Sequence, residues 1–129
     1  MIALMIVRTR LEGEPWPDDY PITNEVLRYA KKNLSAVWYQ IMFSEDGLTR
    51  LKLIVLDDWE SLSAYFRDTI ILKDMFAKNS ELLSSGGTIT YSAEEVTDWD
   101  EFSERLLKSY PYNSDGGRHD CLYRQHPDR

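Results

Sequence analysis

The chain has 129 residues, 43% of them hydrophobic and 29% charged, which excludes a disordered chain and allows one globular core. Its formal net charge of −7 repels phosphate backbones, so nucleic acid is not an expected partner. One cysteine, Cys121, admits no internal disulfide, and the apolar run at residues 1–7 is too short for a signal peptide or a membrane span; a cytoplasmic protein without a membrane partner is expected.

Residues 2–10 read as a first strand that is apolar on both sides, with Ile2, Leu4 and Ile6 on one face and Ala3, Met5 and Val7 on the other. The glycine and prolines of residues 12–19 break the pattern into a loop. Thr23 suits an N-cap, and Val26, Ala30 and Leu34 are spaced as one face of a helix of about three turns. Residues 36–43 predict a second strand. Simple alternation sets Val37, Tyr39, Ile41 and Phe43 against Ala36, Trp38, Gln40 and Met42. Glu45-Asp46-Gly47 is a hairpin turn because Asp-Gly readily adopts positive φ. The third strand, at residues 48–56, then places Leu51, Leu53 and Val55 on one face and Arg50, Lys52 and Ile54 on the other.

Asp57-Asp58 supplies carboxylates to cap a second helix, along which Trp59, Leu62, Phe66 and Ile70 recur at helical spacing. A bend is expected at Thr69-Ile70-Ile71, and Ser84-Ser85-Gly86-Gly87 ends the helix. Residues 88–93 predict a fourth strand of mixed polarity, suited to an edge. Asp98, with Glu101 three residues later, resembles a capping box opening a third helix, whose apolar stripe is Trp99, Phe102 and Leu106. The domains that follow are an α+β unit at 1–93, a helical extension at 94–110 and a flexible tail at 111–129.

The order strand–helix–strand–strand–helix–strand is the ferredoxin-like βαββαβ plan with a four-stranded antiparallel sheet. Within it, the Glu45-Asp46-Gly47 hairpin, the Asp57-Asp58-Trp59-Glu60-Ser61 helix start, the Ala64-Tyr65-Phe66 step and the strand around Tyr91 resemble the antibiotic-biosynthesis-monooxygenase-like branch of the dimeric α/β-barrel proteins. That resemblance implies a homodimer in which two sheets pack face to face, accounting for strands apolar on both sides. Some members of that branch are cofactor-free oxygenases and others degrade haem. The haem-degrading members use a histidine where Tyr65 stands here, so no haem and no other cofactor is expected.

Trp38, Trp59 and Tyr65 offer flat surfaces for an aromatic or quinone-like ligand, and Arg50, on the same strand face as Lys52, offers an anion contact to orient it. The plainer alternatives are core packing for the aromatics and ion pairing or snorkelling for the cations. Asp57-Asp58 has too few converging oxygens for a metal, and His119, Cys121 and His126 match no tetrahedral spacing, so no metal site is expected. No Ser-His-Asp set, P-loop or dinucleotide fingerprint occurs, and no catalytic residue is assigned. The third strand lacks the aromatics that RNA-recognition domains stack on bases. The leading expectation is a non-enzymatic dimeric binding protein that engages a protein partner through Trp99, Phe102 and Leu106. The alternative is a cofactor-independent monooxygenase-like enzyme acting on a small aromatic or quinone-like substrate.

Overall fold

The structure, a computed structural model, describes residues 1–16, 29–30 and 32–109, apart from the Tyr39 side chain. The predicted cap Thr23, the helix position Val26 and the tail carrying His119, Cys121 and His126 lie outside the described residues. Four strands, β1 (Ile2–Thr9), β2 (Ala36–Phe43), β3 (Thr49–Leu56) and β4 (Thr88–Glu95), form one antiparallel sheet in the order β2-β3-β1-β4. Three helices are described in full: α1 (Trp59–Arg67), α2 (Thr69–Ser84) and α3 (Trp99–Ser109). Residues 29–30 and 32–33 are also helical, and Ser35, at φ 56°, turns the chain from them into β2.

Register decides which side chains share a face. Leu4 lies between Ile54 and Ala93, and Met5 lies between Leu53 and Ser92. One side of the sheet therefore carries Ile2, Leu4, Ile6, Ile54 and Leu56, and the other carries Ala3, Leu51, Leu53 and Val55. A bulge in β2 lets Ala36 pair with Leu56 while Trp38 pairs with the next residue, Val55. Ala36 consequently joins Ile41 and Phe43 on the first face, which simple alternation had separated from it. The hairpin forms as expected, with Gly47 at φ 73° and the Leu48 amide donating to the Asp46 carboxylate at 3.0 Å.

The first face is covered by α1 and α2. The Asp58 carboxylate caps α1 by accepting from the Ser61 amide at 2.8 Å. Leu62 and Tyr65 of α1, with Ile71, Met75 and Leu82 of α2, then pack onto the strands. The two helices are separated at Asp68 rather than within the β-branched run that follows. Asp68 ends α1 and caps α2, accepting from the Ile70 and Ile71 amides at 2.9 and 3.1 Å, and the Tyr29 hydroxyl also donates to it at 2.5 Å.

The second face is covered from within the chain. Trp99, Phe102 and Leu106 of α3 are buried against Ala3, Trp38, Met42, Leu51, Leu53 and Val55. A second copy of the sheet is not needed to keep these strands dry, and α3 shares a core with the unit it was expected to extend. Asp98 caps α3 through the Glu101 amide at 3.1 Å. The reciprocal half of a capping box is not made, because the Glu101 carboxylate accepts from Arg105 Nε at 3.2 Å instead. Backbone bonding between Val96 and Met1, at 2.7 Å, holds the approach to α3 beside the start of β1. β4 keeps the mixed, exposed character expected of an edge, with Thr88, Thr90 and Ser92 all open to solvent.

Candidate functional site

Charged side chains are concentrated between the first face and α2. Arg8, Arg50 and Lys52 are only 1–2% exposed, and the register sets Arg8 directly opposite Arg50. Adjacent like charges cost stability unless polar groups meet them. The Arg8 guanidinium donates from Nε and Nη2 to Asn79 Oδ1 at 3.0 and 2.9 Å, and the Asn79 amide donates onward to the Tyr91 hydroxyl at 2.5 Å. Lys78 pairs with Asp74 one turn earlier at 2.9 Å. Arg10 and Arg50 both stack on the Trp16 indole, at 5.3 and 5.6 Å from its centroid. A cavity of about 140 Å³ opens beside this layer, lined by Arg10, Trp16, Lys78 and Glu81.

These surroundings shift the titrating groups. Burial, reinforced by Lys78, Arg50 and Arg8, holds the Lys52 amine well below its ordinary value. Burial also lowers Lys78, against the pull of Asp74. The Tyr65 hydroxyl is raised by burial and then by the Asp74 charge, and it makes no hydrogen bond among the described residues. An amine held toward neutrality has the chemistry of a base or nucleophile. Lys52 nevertheless lines neither of the two cavities described, so a substrate has no described route to it.

The four residues proposed to enclose one ligand do not converge. Arg50 and Tyr65 share the first face, but Trp38 is on the other side of the sheet and Trp59 is 51% exposed at the start of α1. Simple alternation had placed Trp38 and Arg50 without a register to relate them, and the β2–β3 pairing puts them on opposite faces. The stripe Trp99, Phe102 and Leu106 is also not displayed outward; each of these side chains is 9% exposed or less.

Beneath α3 the arrangement is largely aromatic. The Trp38 and Trp99 rings meet edge to face at 5.2 Å, and Trp99 lies 5.6 Å from Phe102. The Arg105 guanidinium covers the outer side of Phe102 at 5.4 Å and donates to both oxygens of Glu94 on β4 at 3.1 Å. Those bonds to Glu94, then to Glu101, raise the Arg105 pKa. Beside them lies a partly open cavity of about 160 Å³ whose walls include Trp38, Gln40, Met42, Leu53, Trp99 and Leu106, with Ser103 and Leu107 toward solvent. An amide at Gln40, between Trp38 and Met42 on a buried strand, is itself a sequence signal, since a buried polar group needs a partner.

No protein-family model matches the chain, and no curated protein matches it as a relative. Among the described residues, no group of three or more His, Cys, Asp or Glu side chains could hold a metal ion. No described helix is long and apolar enough to cross a membrane.

Proposed function

We propose that this chain is a non-enzymatic protein-binding module on a ferredoxin-like βαββαβ plan, with its docking face on the outer side of α2. The plan is supported by the sheet order β2-β3-β1-β4 and by α1 and α2 lying on one face. The finer likeness to dimeric α/β-barrel proteins depends on two sheets packed together. Here α3 covers that face, so the proposal keeps the plan without the barrel.

The observation that carries the docking face is that α2 is apolar on more than one side. Ile71, Met75 and Leu82 point into the core, yet Phe76 is 67% exposed and Leu83 is 56% exposed. Phe76 and Leu83 are two turns apart, about 10 Å along the axis, so they form one outward ridge. A surface helix that needed only to cover its own sheet would carry polar residues there. The partner chemistry this fits is an apolar groove or helix on another protein. A monooxygenase-like site would need Trp38, Arg50, Trp59 and Tyr65 around one ligand, and these residues do not converge.

Photo-crosslinking tests this reading. A photoreactive phenylalanine at position 76 should give a discrete adduct in native extract, and the same group at exposed Asp100 should not. The adduct should disappear with Leu83→Glu. A doubled chain mass would make the partner a second copy; no specific adduct at 76 would remove the docking face.

A further inference from the structure

We infer that the cavity beneath α3 is a binding site for a neutral, single-ring aromatic molecule bearing a hydrogen-bond acceptor. The inference is independent of the docking face on α2, which lies across the sheet. Size sets the first limit: the cavity is about 160 Å³, and engineered protein cavities of roughly 150 Å³ accept benzene. The Trp38 and Trp99 rings, already set edge to face, provide aromatic edges and faces for a flat guest.

Gln40 sets the chemistry. Its side chain lines the cavity and is only 6% exposed. The Trp38 indole N–H can only donate, so the atom it meets at 3.1 Å must be the amide oxygen of Gln40. That bond fixes the amide's orientation and leaves its NH₂ group as the donor side, which bonds to no described residue. Water can meet this donor when no guest is bound, so a guest that displaces the water must offer an acceptor in its place. A carbonyl or similar acceptor on the guest would do so. The side chains lining the cavity include no charged group, so an ionised guest would lose its hydration without compensation.

The test uses the full chain and three one-ring probes: acetophenone, toluene and benzoate. Acetophenone should shift the Trp38 and Trp99 indole N–H signals and the Gln40 side-chain amide saturably. From its atom count, half-saturation is expected at or below about 10 mM. Toluene, lacking the acceptor, should bind about tenfold more weakly, and benzoate more weakly than acetophenone. Gln40→Leu should abolish the preference for acetophenone over toluene. Ser103→Leu, which fills space in the cavity wall from α3, should abolish binding of both while leaving the backbone spectrum unchanged. If Gln40→Leu fails to fold, Ser103→Leu decides alone, and unchanged binding in it overturns the inference. So would the absence of saturable shifts, shifts confined to residues away from β2 and α3, or an acetophenone preference that survives Gln40→Leu.

Discussion

The indole of Trp38 on β2 meets the indole of Trp99 on α3 edge to face, with centroids 5.2 Å apart, and this contact joins the second face of the sheet to its cover. The same contact stands beside the cavity and the Gln40 amide, so folding and the proposed ligand site depend on the same few side chains.

Truncating that cover should be expensive. Phe102 is 2% exposed and Trp99 is 9% exposed, so Phe102→Ala and Trp99→Ala are each expected to cost about 3–5 kcal/mol in urea unfolding. Leu107→Ala, at a position 46% exposed on the same helix, should cost much less, on the order of 0.5 kcal/mol. Equal losses at positions 102 and 107 would mean that α3 does not rest on the sheet by its apolar stripe.

Asp68 should be the most sensitive polar position on the helical side. Burial raises its carboxyl pKa, but hydrogen bonds from Tyr29, Ile71 and Ile70 outweigh that and hold it below its ordinary value of 3.8. Asp68→Ala removes the cap of α2 and should cost about 1–2 kcal/mol at neutral pH. Because the folded pKa is depressed, the contribution is complete above the ordinary value and is lost as pH falls through the folded one. Wild type and Asp68→Asn should therefore converge in stability toward about pH 2. A difference that stays constant from neutral to acid pH would refute the carboxylate's role.

Lys52 gives the opposite end of the pH scale. Its folded pKa lies below the ordinary 10.5, so between the two values the unfolded chain holds more protons and stability rises with pH. Lys78 is lowered as well and works in the same direction. The raised Tyr65 works the other way, its contribution being lost only as pH climbs above the ordinary tyrosine range. Urea midpoints should accordingly rise as pH climbs toward the ordinary lysine value of 10.5, and Lys52→Met should flatten that rise. An identical rise in wild type and variant would show that Lys52 does not carry it.

Much of the fold is legible in the chain because its signals are local. The Asp46-Gly47 turn, the Asp58 and Asp98 caps and the strand periodicities each involve residues within a few positions of one another. What covers the second face is not a local property. The two-sided strands required a cover, and the stripe Trp99, Phe102 and Leu106 required somewhere to pack. Nothing in the spacing alone shows that each answers the other. The bulge at Val37 is similarly hidden, since it depends on how β2 pairs with β3 rather than on β2 itself. Grouping Trp38 with Arg50 failed for the same reason: adjacency across strands follows from register. The Arg105–Glu94 clamp depends on α3 being seated beside β4, which no local pattern shows.

The claim on which the fold and the ligand site both rest is that each chain's α3 covers its own sheet. It is tested most directly by nuclear Overhauser contacts between the Trp38 and Trp99 ring protons in an equal mixture of isotope-labelled and unlabelled chains. The contact is predicted within single labelled chains and absent from the spectrum filtered for interchain contacts. No contact at all, or one seen only between different chains, would contradict it.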